Sequence, residues 1–450
     1  MIWSSPIYRF REPYNENSVT MKEVVIDVTG SAPPILEPSD NLKQVLNEVF
    51  TSSEYSGIET VLEFGAAKLK NIPFILKQGK SVTAVEFKEL ADNKITKKNI
   101  TKCKRYGSKF QELIFPNPFL TDPKRFDLVL LANVVPVMPI PSERLYLLDI
   151  LHKKVNDSKY VLWIAQKEGS YKTIREEGRQ RIGDGIWMGV AKRFKTFYRY
   201  HNPEEVDEIM QLYGFERITK WSLGDDARLY KKIRYNLFTG MITPELIQEH
   251  IPLDETIEDP QKIKLKRVKQ VDEVVPNPPE LSIENLYKKR IQSINEGTTD
   301  AELYHRVVSN ALSRIFRGSL RNMEIKVPVN NGTGIIDTVF TNMASSGFFN
   351  NKGEHVIVEV KNISGDPENT EFNQLASRLN VYTGHFGILV CRKVQDEDAV
   401  VQRCKAFLPQ GNTLIFLTDK DIFELLDCSR NGNTDEINDI MDNRTKKITF

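Results

Sequence analysis

The chain lacks long apolar runs, has little cysteine and carries almost no net charge, and each shortage removes a class of protein. No stretch approaches the roughly 20 consecutive apolar residues of a membrane span. The opening residues, MIWSSPIYRFREPYNENS, put charges and prolines where a secretory signal needs an unbroken apolar core. A cytoplasmic protein with no membrane partner is expected. Only four cysteines occur, Cys103, Cys391, Cys404 and Cys428, spaced too widely in sequence for zinc-binding pairs. Such sparse use suits a reducing compartment and packing roles. Lysine and arginine number 62 against 61 aspartates and glutamates, a net charge of +1, so a nucleic-acid-binding face has to be local.

What is present is ample core material. Hydrophobic residues make up 40% and charged residues 27% of 450 residues, a globular composition at a length that asks for two or three domains. Between about 41 and 233, short β-rich runs alternate with amphipathic segments, the pattern of βαβ units around a largely parallel sheet. The strands are TVLEF, SVTAVEF, FDLVLLANV, YVLWIA and ARLYKKI. Helices fit SERLYLLDILHKKV and NPEEVDEIMQLYGF, the latter with Asn202 as N-cap and Pro203 at the first helical position. The expected class is α/β: a doubly wound, Rossmann-like domain over residues 1–243 with its core at about 41–233, a proline- and charge-rich linker over 244–280, and a second α/β domain over 281–450. In that second domain, TDAELYHRVVSNALSRIF has helical periodicity. The strands MEIKVPV, GIIDTVF, HVIVEVKN and FGILVCR follow, then a helix through DAVVQRCKAFL, a strand TLIFLTD and a last helix from about 419 to 426.

The chemistry concentrates in GIIDTVF and HVIVEVKN. A strand's period of two puts Val356, Val358 and Val360 on one face and Ile357, Glu359 and Lys361 on the other. Pairing the two runs would bring Asp337 beside Glu359. Two carboxylates and a backbone carbonyl, that of Val360, suit Mg²⁺ or Mn²⁺, and a neighbouring lysine can orient water or stabilise charge on a phosphodiester in reaction. A lone Glu-x-Lys on a strand is more often solvated surface, so the context decides. The run GIIDTVFTN through GEHVIVEVKNISGDPENTEFNQLASRL to FGILVCR resembles the PD-(D/E)xK restriction-endonuclease-like nucleases over about 298–426. That resemblance implies a Mg²⁺-dependent endodeoxyribonuclease with Asp337 and Glu359 as metal ligands and Lys361 as catalytic lysine. It adds Glu302 on the preceding helix and Gln374 on the following one, with Arg378 a turn later. Asn362, Asn369 and Glu371 are implied as supports, and His305 is read as structural. DNA is the implied substrate, with other defence-system subunits as possible partners.

In the N-terminal half, LEFGAAKLKN followed by SVTAVEF resembles class I S-adenosylmethionine-dependent methyltransferases. The resemblance implies that the Gly65 turn and Glu86 hold the cofactor, Glu86 through its ribose hydroxyls; Asp127 also matches. Ala67 stands where the family has its second glycine, and Asn133-Val134-Val135-Pro136 lacks the paired groups that grip a flipped base. Weak or no cofactor binding and no base methylation are therefore expected. Two other readings stay open: a bifunctional restriction and modification enzyme, and a non-catalytic DNA-binding or assembly subunit. The basic and aromatic run AKRFKTFYRYH is either a nucleic-acid groove or a half-buried strand with solvated charges.

Overall fold

The computed structural model describes residues 6–13, 21–28, 37–164, 181–182, 185–188, 196–218, 227–233, 236–242, 282–329, 334–363 and 365–450. The chain divides into two compact units, 1–279 and 280–450. The expected linker at 244–280 lies outside the described residues, as do Lys192 to Lys195.

In the first unit a hairpin of β1 (Ile7–Pro13) and β2 (Met21–Asp27) precedes helix α1 (Asp40–Thr51). Ser39 caps that helix by accepting from the Leu42 amide, and Leu42, Val45, Leu46 and Val49 recur on its buried face. Then come β3 (Thr60–Phe64), α2 (Ile72–Lys77), β4 (Ser81–Phe87), α3 (Lys88–Ala91), α4 (Lys94–Cys103), β5 (Phe110–Phe115), β6 (Phe126–Ala132), α5 (Pro141–Lys154) and β7 (Val155–Ile164). The short strands β8 (Arg181–Ile182), β9 (Gly185–Met188) and β10 (Thr196–Tyr198) form a separate three-stranded sheet. Helix α6 (Pro203–Leu212) starts at Asn202, whose side chain accepts from the Glu204 amide, as expected, and leads to β11 (Phe215–Arg217) and β12 (Ala227–Lys232).

The main sheet runs β11-β12-β7-β6-β3-β4-β5. Strands β3 to β7 are mutually parallel, while β12 is antiparallel to β7 and β11 to β12. The chain winds outward from β3 to β5, then crosses back to β6 on the other side of β3. This is a doubly wound, Rossmann-like sheet with its topological switch between β3 and β6. Burial on both faces explains why VLLA in β6 and YVLW in β7 read as unbroken apolar runs. Strand β5, FQELIF, and the β1/β2 hairpin are elements the sequence pattern did not mark out, because polar residues break up their short runs.

The second unit begins with α7 (Ile283–Ser293) and α8 (Ala301–Ile315), followed by β13 (Leu320–Val329), β14 (Gly334–Asn342), β15 (His355–Lys361), α9 (Asn369–Ala376), β16 (Phe386–Cys391), α10 (Glu397–Lys405), β17 (Thr413–Thr418), α11 (Asp419–Arg430) and α12 (Thr434–Thr449). Its five strands stand in chain order, β13 to β15 antiparallel and β15 to β17 parallel. The last predicted helix, 419–426, extends to Arg430, and α12 follows it unanticipated. Only Ile437, Met441 and Ile448 of α12 are buried, too few apolar positions among its charges to announce a helix. Strand β15 lies between β14 and β16 and is buried on both faces: Val356, Val358 and Val360, but also Ile357 and Glu359. All four cysteines are free and buried, as packing residues would be. No helix among the described residues is long and apolar enough to cross a membrane.

Candidate functional site

The carboxylates sit where the central strands of the second unit meet. The pairing of Thr338 with Val358 sets Asp337 one residue before a hydrogen-bonded partner of β15. One oxygen of its carboxylate, Oδ2, accepts from the Val360 amide at 3.2 Å. This bond ties the end of β15 to Asp337. Glu359 is fully buried, and Lys361, two residues on and on the same face, brings its Nζ to 2.8 Å from Glu359 Oε1. The two side chains form an ion pair in the interior. Lys361 also donates to Gln374 Oε1 at 3.1 Å, which ties β15 to α9.

Asp337, Glu359, Lys361 and Gln374 line one cleft of about 560 Å³, together with Lys326, Gly334, Ile335 and Arg378. Arg378 is held there by donating to the Ile335 carbonyl at 3.1 Å. Glu302 does not line the cleft. It accepts from Arg306 Nε at 2.7 Å, one turn along α8, and its other oxygen stands 4.0 Å from His305 Nδ1. A helix position alone does not say which way a long side chain turns, and here the arginine one turn on takes it. His305 is buried and hydrogen-bonds through Nε2 to Thr338 Oγ1 at 2.9 Å; burial lowers its pKa.

Lys326 is the functional candidate that sequence reasoning missed. Its neighbours Ile325 and Val327 pair with Thr338 and Ile336, so Lys326 stands opposite Asp337, and its Nζ lies 2.6 Å from Asp337 Oδ1. The signal is not in the pattern MEIKVPV. It comes from a register shift between Arg321 and Glu324 and from left-handed backbone at Asn322 (φ 49°) and Lys326 (φ 59°).

These contacts pull the two carboxyls apart in acidity. Burial alone would push Asp337 up, but the Lys326 hydrogen bond, the charges of His305 and Lys326 and the Val360 amide carry it below its usual range. Glu359 is raised to about 7, by burial first and by the Asp337 charge second, against the pull of Lys361. Buried beside a second carboxylate, with Lys361 as its ion-pair partner, Glu359 stands where a further cation would be favourable. Among the described residues no three of His, Cys, Asp and Glu gather as a metal cluster. The donor set is two carboxylates, which fits Mg²⁺, an ion that keeps several waters and often takes one or two carboxylates plus phosphate oxygens.

The residues implied as supports have structural partners. Asn362 donates to the Asn295 and Gly297 carbonyls at 2.8 and 2.7 Å, clamping the loop before α8 to the end of β15. Glu371 closes the capping box of α9 by accepting from the Glu368 amide, and Asn369 is that helix's first residue.

In the first unit the turns after β3 and β6 meet at the switch point. Gly65 has φ 66°, and a Cβ there would lie 2.7 Å from Val134 Cγ2, so only glycine fits. Glu86, at the end of β4, is committed to the turn itself: Oε2 accepts from the Ala67 amide at 2.6 Å and Oε1 from the Phe87 amide at 2.9 Å. Burial raises its pKa to about 7 in spite of these bonds. Ala67 (φ 49°) and Leu69 (φ 61°) are both left-handed, and this strained turn closes on Glu86. Asp127 lies at the opposite, N-terminal end of the parallel strands. It accepts from the Glu59 and Thr60 amides, the Thr60 hydroxyl and Asn156, a strand-tying role. Phe197 and Tyr198 are buried in β10, so these two rings are core residues, while Arg199 and Tyr200 are half-buried.

No known family model matches the chain. No curated protein is significantly similar to it. Solved structures of methyltransferases are similar to its N-terminal part. The CcbJ methyltransferase from Streptomyces caelestis is 12% identical, with 44% of this chain and 91% of that one covered and a TM-score of 0.32. For the 1,6-didemethyltoxoflavin-N1-methyltransferase from Burkholderia thailandensis the values are 13%, 50%, 99% and 0.30. For a methyltransferase from Methanosarcina mazei they are 12%, 44%, 99% and 0.34. The match to the methyltransferase SibL spans 56% of that protein. The Rossmann-like assignment rests on the strand order above, not on these likenesses.

Proposed function

We propose that the second unit is a divalent-cation-dependent nuclease acting on DNA, with Asp337 and Glu359 as cation ligands, Lys361 as the catalytic lysine and Gln374 as its positioning partner. The observation that carries this reading is that Asp337, a fully buried Glu359, Lys361 and Gln374 line one cleft, with Lys361 Nζ 2.8 Å from Glu359 Oε1. A buried charge in a strand pair is costly unless it is used.

A bound Mg²⁺ or Mn²⁺ would supply Lewis-acid polarisation of the phosphodiester. The chain's own groups do the rest. The β14/β15 pairing holds both carboxylates on one rigid surface, so little reorganisation is needed when a substrate arrives. Lys361, steadied by Gln374 Oε1, places its ammonium where negative charge grows on the phosphoryl oxygens. Arg378, anchored at the cleft wall, offers a further guanidinium to the backbone of the nucleic acid.

The test is incubation of the full chain with plasmid DNA and Mg²⁺ or Mn²⁺, alongside Asp337→Ala, Glu359→Ala and Lys361→Ala. Each substitution is expected to abolish cleavage while the fold persists; undiminished cutting by any of them refutes the assignment. Glu302→Ala is expected to retain most activity, since its carboxylate is turned to Arg306. The N-terminal unit is read as a doubly wound module that binds S-adenosylmethionine weakly or not at all, because Glu86 is engaged by its own turn.

A further inference from the structure

The cleft holds one more cation than its chemistry as read so far uses. Lys326, Lys361 and Arg378 face Asp337 and Glu359, three positive groups against two negative ones. Lys361 answers Glu359, and Arg378 is fixed to the wall. Lys326 is bonded to Asp337, the other proposed cation ligand, at 2.6 Å, through a side chain that is 40% exposed. A left-handed backbone at a lysine is uncommon, and here it follows a bulge in the edge strand, so local strain is accepted at this position. Bulges of this kind re-aim side chains next to functional sites.

We propose that Lys326 is an exchangeable phosphate ligand: it neutralises Asp337 in the metal-free protein and moves to a phosphate oxygen of the nucleic acid when a divalent cation takes its place. The inference rests on the nuclease reading and deepens it. An ammonium 2.6 Å from Asp337 Oδ1 repels a divalent cation bound to the same carboxylate, so the cation alone drives Lys326 toward solvent. When a phosphodiester is present, the displaced ammonium has an anion to meet within the same cleft. Cation and nucleic acid therefore bind with positive coupling, and linkage makes the coupling mutual. The long, flexible lysine stem suits such an exchange, where the planar fork of an arginine would not.

The test uses the full chain in a Lys361→Ala background, so that no bond is cut, and follows free Mn²⁺ by electron paramagnetic resonance with and without a short DNA duplex. The parent is expected to bind Mn²⁺ weakly alone and roughly tenfold more tightly with duplex, a change of about 1.4 kcal/mol. Lys326→Met is expected to bind Mn²⁺ alone several-fold more tightly than the parent and to gain little from duplex. Lys326→Arg should restore the weak binding of Mn²⁺ alone. Unchanged Mn²⁺ affinity in Lys326→Met, or duplex coupling that survives it, overturns the proposal. If neither protein binds Mn²⁺ in a way that Asp337→Asn abolishes, it is the nuclease reading itself that fails.

Discussion

Replacing Glu359 by glutamine is expected to stabilise the metal-free second unit, and to do so only at neutral and alkaline pH. Glu359 is fully buried in the central strand, and its carboxyl rises from an ordinary 4.5 to about 7. A raised pKa means that the folded state holds this proton more tightly than the unfolded one. The stability so gained is fully present below the unfolded pKa and is lost as pH rises through the folded pKa. At pH 8 the ionised side chain costs about 3 kcal/mol relative to a neutral one, from 1.36 kcal/mol for each unit of pKa. Glutamine removes that cost but leaves Lys361 without its counter-charge, so a net gain of about 2 kcal/mol is expected at pH 8 and almost none near pH 5. All four tryptophans (Trp3, Trp163, Trp187 and Trp221) precede the second unit, which has none of its own. Hydrogen exchange of peptides spanning His355–Lys361, in the presence of a chelator, reports on it. A variant less stable than the parent at pH 8, or a difference independent of pH, would refute the argument.

Three further outcomes follow from the geometry. Gly65→Ala should destabilise the first unit by about 2 kcal/mol, because it adds a Cβ at φ 66° and 2.7 Å from Val134 Cγ2. Tryptophan fluorescence during urea unfolding measures this, and Val134→Ala should recover part of the loss. Asn362→Ala, which orphans the Asn295 and Gly297 carbonyls, should cost about 2 kcal/mol and speed amide exchange in the loop before α8. Calorimetric titration of the full chain with S-adenosylmethionine should show weak or undetectable binding, and a labelled-methyl assay should find no transfer to duplex DNA; micromolar binding lost in Glu86→Ala would show that the Ala67 bond to Glu86 yields readily to ligand.

Local pattern carried much of this molecule. Strands TVLEF, SVTAVEF, HVIVEVK and FGILVC and the Asn202-capped helix are legible because β-branched runs, caps and turn residues act over a few neighbours. The period of two in HVIVEVK was enough to put Glu359 and Lys361 on one face. Other features depend on partners distant in sequence. The alternation in β15 put Glu359 and Lys361 on one face, but in the central strand between β14 and β16 Glu359 is completely buried, and that burial raises its pKa. Glu302 turned to Arg306 instead of the cleft, a choice between rotamers that helix position does not make. Lys326 entered the site through a bulge and a left-handed residue, and Glu86 was taken up by the Ala67 amide. Sequence pattern decided which residues share a strand or a helix face. Tertiary packing decided which carboxylates lose water and which cations reach them, because desolvation and ion pairing depend on neighbours that no local pattern contains.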